Sequence, residues 1–187
     1  MEDVKIRLIT GHTGQNHITA DDDASKLSAL IGRGEYVLDV GTKFKYDKVS
    51  NNQIDILDGD AIFQGRHCRV SPDMRISCDI GNGTQNQYRN DLIGIKYKRI
   101  GAEESAWIAV IQGTPGTVAE DPPYTTGNIE EGATEHFMPL YRVTVDGVSA
   151  VSIVPLYKVY NRIPNFSFGT ADPAGGEDGD VYFKIIE

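Results

Sequence analysis

The sequence predicts a mainly β protein: an antiparallel β-sandwich or barrel-like domain with one short N-terminal helix and a C-terminal β-hairpin appendage. Between Ser50 and Lys98, apolar residues recur at every second position, in Ile54/Ile56, Cys68/Val70, Ile76/Cys78/Ile80 and Ile93/Ile95/Tyr97. That is the period of strands with one buried and one polar face. The same stretch is cut by Asn51-Asn52, Asp58-Gly59, Ser71-Pro72-Asp73 and Gly81-Asn82-Gly83, residue types that supply tight-turn conformations. Only one segment, Thr19 to Ile31, combines a helix start, an apolar stripe and a glycine stop.

In chain order, VKIRLI at positions 4 to 9 alternates like an opening strand and is followed by a loop containing His12 and His17. Thr19 can cap the helix, with Asp22 completing a Thr-x-x-Asp box and Asp21 to Asp23 suiting the positive end of the helix dipole. Ala24, Leu27, Leu30 and Ile31 form its apolar stripe, and Gly32 and Gly34 end it. A helix this short does not stand alone in water, so it must pack on the sheet. From Tyr36 onward the pattern is almost entirely β. Tyr36-Val37-Leu38 and Lys43 to Val49 precede the alternating stretch, and WIAVIQ from Trp107 to Gln112 has the character of a central strand buried on both faces.

Residues 113 to 135, rich in Gly, Pro, Thr and acidic side chains, read as a long connection or protruding loop, a place where function often resides. Val143 to Val148 reads as a hairpin turning through Asp146-Gly147 in a type I′ turn. Residues 1–160 therefore form the main domain. Residues 161–187 form the appendage, with alternating strands around Phe166/Phe168 and Val181 to Ile186 on either side of a polar Gly- and Asp-rich loop. Two strands alone are marginal in water, so this hairpin must dock on the body, on another subunit or on a partner.

Composition narrows the function classes. A chain of 187 residues, about 40% apolar and 24% charged, suits one globular core. No apolar run approaches the roughly 20 residues of a membrane helix, and the acidic start MEDVKIRLITG lacks the apolar region of a secretory signal. Synthesis in the cytoplasm with no membrane insertion is the expectation. A net charge of −9 argues against nucleic acid, which needs a basic patch to release counterions. The densest basic groups, Lys43/Lys45/Lys48 and Lys96/Lys98/Arg99, read as solvent-facing strand positions. Cys68 and Cys78 flank the Ser71-Pro72-Asp73 turn, so a hairpin there would set them nearly opposite. As members of apolar strand faces they read as buried, reduced thiols.

Few residues offer chemistry. His12 and His17 lie five apart, which places them on opposite faces of a strand and about 140° apart on a helix, so a partner contact is preferred to a metal site. Asp58-Gly59-Asp60 and Glu177-Asp178-Gly179-Asp180 lack the spaced ligands of a calcium loop and read as turns. No nucleophile elbow, zinc-protease helix or phosphate loop occurs, and no enzyme activity, cofactor or metal is expected. Tyr36, Tyr97, Trp107 and Tyr141 sit in apolar strand patterns and read as core, leaving Tyr124, in the long loop, as the best single aromatic for a partner or glycan contact.

The order of certain short motifs resembles a known group. Thr10-Gly11-His12-Thr13-Gly14, His17-Ile18-Thr19, Asn51-Asn52, Asp58-Gly59, Gln64-Gly65-Arg66, Asn82-Gly83, Arg89-Asn90-Asp91-Leu92-Ile93, Pro139 to Val143 and Val154-Pro155-Leu156 together span most of residues 9 to 157. They are similar to tail or baseplate structural proteins of phages and prophages of Gram-positive bacteria. The closing run GTADPAGGEDGDVYFK is similar to segments of phage fibre and tail proteins. The resemblance implies a component of the virion tail that binds copies of itself, with a trimer as the first expectation, and binds other tail or baseplate proteins. It would anchor or extend the receptor-binding apparatus, and it implies no catalytic residues. The alternative is a module that recognises a host-surface glycan.

Overall fold

Helix α1 (Ala20–Ile31) begins where the Thr19/Asp22 pair predicts. The Asp22 amide donates to Thr19 Oγ1 at 3.1 Å and the Thr19 amide to Asp22 Oδ2 at 3.0 Å, which closes the capping box. Gly32, at φ +99°, stops it. The buried face differs from the expected stripe: Ala24 and Ser28, one turn apart, are buried, while Leu30 faces solvent. The reason lies in what the helix packs on. Gly65, at the tip of a tight turn, lies against the Ala24 carbonyl and the Ser28 hydroxyl, and backbones approach this closely only where side chains are small.

The structure is a computed structural model that describes residues 18–160, 166–172, 174 and 181–186. The expected opening strand at 4–9 lies outside these residues. The described strands are β1 (Glu35–Leu38), β2 (Tyr46–Lys48), β3 (Gln53–Ile56), β4 (Gly59–Phe63), β5 (Arg66–Val70), β6 (Ile76–Asp79), β7 (Tyr88–Ile100), β8 (Glu103–Ile111), β9 (Glu135–Asp146), β10 (Ser149–Pro155), β11 (Val159–Tyr160), β12 (Phe166–Gly169) and β13 (Val181–Lys184). One sheet, in order β10-β9-β7-β8, is antiparallel throughout. A second, β11-β1-β4-β5, is antiparallel except where β11 runs parallel to β1. A third, β2-β3-β6, is antiparallel. The three pool their apolar faces in one core, with Val37, Ala61 and Phe63 from the second sheet, Ile54, Ile56 and Cys78 from the third, and Ile93, Ile95, Tyr97, Met138 and Val143 from the first. The result is a sandwich-like β fold with one short helix, and the sheets do not close into a barrel.

The turn between β4 and β5 is where the sheet meets the helix. Phe63 pairs with Arg66, and both loop residues, Gln64 (φ +46°) and Gly65 (φ +77°), are left-handed, as a type I′ turn demands. Gln64 is an unusual residue there, and its side chain is held at both ends. Its Nε2 donates to the Gly127 carbonyl at 3.0 Å and its Oε1 accepts the Ile129 amide at 2.6 Å.

Several expectations need correcting. WIAVIQ is not a central strand: β8 is the edge of its sheet and Trp107 is 43% exposed. Ile108 and Val110 pack against the core, while on the other face Trp107 is exposed and Ala109 and Ile111 are half-buried, because an apolar run does not specify how many neighbours its strand has. Cys68 and Cys78 are not cross-strand partners. The turn between them forms, with the Met74 amide bonded to the Ser71 carbonyl at 3.1 Å, but β5 pairs with β4 and β6 with β3, in different sheets. Both thiols are free. The C-terminal strands are not a hairpin. β12 and β13 run parallel, Phe168 beside Phe183, an arrangement that a tight hairpin turn cannot produce. In the β9–β10 turn, Asp146 pairs with Ser149, so the loop residues are Gly147 and Val148, and of these only Gly147 has a positive φ. The turn is displaced by one residue from the expected Asp-Gly centre and lacks the second left-handed residue of type I′.

The long loop does not protrude. It folds back over the outer face of the β7–β9 pair: Tyr88 and Gly116 exchange backbone hydrogen bonds at 2.8 and 2.9 Å, and the Phe137 amide donates to the Thr125 carbonyl at 2.8 Å. Asp121 clasps the strap, accepting from Asn90 Nδ2 at 2.8 Å and from both Nε and Nη2 of Arg142. Phe137 and Leu92, on the face away from the core, are buried.

Candidate functional site

The charged side chains best placed for recognition gather where α1, the β4–β5 turn and the 127–132 segment meet. Two adjoining clefts open there, and Arg33 and Glu130 line both. Arg33 Nε lies 3.2 Å from Glu130 Oε2, and the other carboxylate oxygen of Glu130 accepts the Ser28 hydroxyl at 2.8 Å. The helix, its exit turn and the loop are thereby tied together at the ridge between the two openings.

The first cleft, about 580 Å³, lies at one mouth of the sandwich. Met138 and Pro139 of β9 and Leu156 form its apolar surface, while Glu35, Tyr36, Gln64, Asn128, Tyr157 and Lys158 bring polar groups. Behind Glu35 is the buried His136, its ring stacked on Phe63 at 5.9 Å and 15°. His136 Nδ1 lies 3.0 Å from the Gly127 carbonyl oxygen and 3.3 Å from Gln64 Nε2. Nε2 lies 2.8 Å from Glu35 Oε1, within ion-pair reach but out of line for a hydrogen bond. The Tyr157 hydroxyl donates to the Lys43 carbonyl at 3.1 Å and meets the Tyr141 hydroxyl at 3.2 Å, so that wall is rigid.

The second cleft, about 500 Å³, is lined by Asp21, Ser25, Ser28 and Ala29 of α1, by Arg33, Arg66 and Arg99, and by Ile129, Glu130 and Gly132. Arg66, at the start of β5, is 11% exposed and donates through Nη2 to Asp21 at 2.6 Å and to Glu104 at 2.9 Å. Glu104 also accepts the Tyr97 hydroxyl at 2.7 Å and stands opposite Arg99 in the β7–β8 register. Burial works to raise the Glu104 pKa, but hydrogen bonds from Arg66 and Tyr97, together with the charges of Arg66 and Arg99, outweigh it and hold the carboxyl below its usual range. Burial, aided by the Glu104 carboxylate, pushes the Tyr97 hydroxyl up to about 12.

Of the residues singled out from sequence, Tyr124 lies in neither cleft. It sits on the strap, 40% exposed, its ring tilted against Phe137 at 5.6 Å. His12 and His17 lie outside the described residues. Arg33, Arg66 and Arg99 gave no sequence signal as a group, since about thirty residues separate each from the next. His136 and Glu35 were equally silent. Among the described residues no three His, Cys, Asp or Glu side chains converge as a metal site would require, and no helix is long and apolar enough to cross a membrane. In comparisons with known proteins, no family model matches the chain and no curated protein is similar to it.

Proposed function

We propose that this protein is a structural component of a phage or prophage tail or baseplate, located in the virion tail, and that it acts by forming interfaces rather than by catalysis. The observation that carries this reading is the C-terminal strand pair. Phe168 and Phe183 stack face to face at 5.4 Å and 17°, yet Phe168 is 69% and Ile186 87% exposed, with Ile185 and Phe183 also open to solvent. Among the described residues no third strand joins β12 and β13. A two-stranded sheet does not offset its ordering entropy of roughly 1–2 kcal/mol per residue without a further apolar surface. A second and third copy of the same segment supply such a surface. The sequence resemblance to tail and baseplate proteins supports the same reading, with other tail proteins as additional partners.

Light scattering on the full chain and on a chain ending at Tyr160 tests it. Self-assembly predicts an oligomer, a trimer first, for the full chain and a smaller species after truncation. A full chain that stays monomeric across micromolar concentrations removes the claim. Recognition of a host-surface glycan is a second reading, favoured by one observation: Trp107, expected in the core, and Tyr124 are both substantially exposed, and Lys96 Nζ stands 6.0 Å over the Trp107 ring. Exposed aromatic faces of this kind stack on sugar rings. A glycan array with the wild type, Trp107→Ala and Tyr124→Ala separates this reading from pure assembly.

A further inference from the structure

We propose that the arginine-lined cleft between α1, β5 and the end of β7 binds an oxyanion, the phosphate or carboxylate group of a small ligand. This site is independent of the assembly reading. In a chain of net charge −9, three arginines line one opening of about 500 Å³ against two carboxylates, Asp21 and Glu130. That volume lies in the range of about 300–1,000 Å³ typical of small-molecule sites. Arginine presents a fixed fork of donors that matches phosphate and carboxylate oxygens.

The three guanidinium groups are not fully engaged. Arg66 is almost wholly buried and uses Nη2 for both its carboxylate contacts, while its Nε is buried with no acceptor. Such a donor is costly to leave unmatched. Arg99 Nε donates to the Gly101 carbonyl at 3.2 Å, and among the described residues no carboxylate lies within ion-pair distance of Arg99. Arg33 is held by Glu130 on one side and otherwise faces water. The hydroxyls of Ser25 and Ser28 belong to the same wall.

Asp21 shows what the site accepts. Its carboxylate, on the exposed face of α1, already sits 2.6 Å from Arg66 Nη2 at the cleft. Asp21 itself is 66% exposed and reaches Arg66 from the solvent side, so an incoming oxyanion can take the place of its carboxylate and engage Arg66 together with Arg33 and Arg99. Glu104 stays behind Arg66, fixing the guanidinium by a second contact.

The test titrates the full chain at low ionic strength with inorganic phosphate and, separately, with glucuronate, following backbone amide shifts. Saturable binding that weakens as salt is added is the expected result, and the tighter of the two probes identifies the group as phosphoryl or carboxyl. Arg33→Gln and Arg99→Gln, both at solvent-accessible positions, are each expected to weaken binding by about tenfold or more, the scale of one charge-assisted hydrogen bond. Asp21→Asn, which removes the competing carboxylate but keeps the helix, is expected to tighten it. Failure of the wild type to saturate with either probe overturns the proposal. So does unchanged affinity in all three variants with melting temperatures at the wild-type value.

Discussion

Arg89 grips the carboxylate of Asp91, two residues along the same strand, with both side chains sealed from water. Nε lies 2.9 Å from Oδ1 and Nη2 lies 3.1 Å from Oδ2. Residues two apart on a strand share a face, so the pair forms without any long-range partner, yet it fastens distant chain. Arg89 Nη1 donates to the Asn82 carbonyl at 2.8 Å and Nη2 also to that of Gly81, while Asp91 Oδ1 accepts the Gly113 amide at 2.9 Å. The exit from β6 and the start of the strap are therefore both bolted to β7.

Truncating one partner strands the other as a buried charge. Asp91→Ala and Arg89→Ala are each expected to lower stability by about 3–5 kcal/mol, read as a fall in the urea midpoint. The double variant should lose much less than the sum of the two singles. Additive losses would show that the two side chains act independently.

The Asp121 clasp carries a pH dependence. Hydrogen bonding from Arg142 is the main cause that holds its carboxyl below the usual range, opposed by burial and assisted by Asn90. A folded-state value below the unfolded one contributes stability above the ordinary carboxyl pKa and loses it as pH falls through the depressed value. Asp121→Ala is expected to cost about 1 kcal/mol at neutral pH, a modest figure because the pair is partly exposed. It should flatten the decline in melting temperature on acidification and raise the exposure of Phe137 to hydrogen exchange along the strap.

The thiols predict the opposite limb. Burial pushes Cys68 up to about 12 and Cys78 up to about 11, with the nearby Asp60 and Asp55 respectively adding to it. Folding thus favours the neutral thiols, a contribution fully present below the ordinary thiol value and lost as pH rises through about 11 to 12. At pH 8 the native protein should react with a thiol reagent at least about a hundredfold more slowly than the urea-unfolded chain. Cys78→Ala should soften the alkaline loss of stability. Rapid native labelling, or a Cys68–Cys78 bond by mass spectrometry, would contradict this.

Gly65 is the joint between helix and sheet. Its φ of +77° and its closeness to the Ala24 carbonyl leave no room for a methyl group. Gly65→Ala is expected to cost about 1–3 kcal/mol, with the largest amide shift changes in α1 and at Gly127 and Ile129, which Gln64 holds. Thr19→Ala, which removes only the helix cap, should cost about 1 kcal/mol and leave the Gln64 contacts unchanged. Equal shift patterns for the two variants would show that the turn does not position the clefts.

What could be read in the sequence is what neighbouring residues decide among themselves. The Thr19/Asp22 box and Gly32 bound α1 because capping is a matter of three or four residues. Two-residue alternation located most strands, and Tyr97 and Tyr141 proved buried as their patterns required, because the pleat alone sets which side chains share a face. Tyr124 was placed on a surface loop, where it is. The clefts were not legible, since Arg33, Arg66 and Arg99 meet only after the β4–β5 turn has docked under α1.

Tertiary structure alone decided the partners. The turn at Ser71 to Met74 closes locally, yet the strands on either side of it part: β5 pairs back with β4 across the Gln64-Gly65 turn, while β6 joins β3 in another sheet. Trp107 became an edge residue, and β12 and β13 became parallel, for a related reason. The alternation of a strand records which face is buried, but its backbone donors and acceptors are the same in every residue and carry no mark of which neighbour, or which direction, will satisfy them.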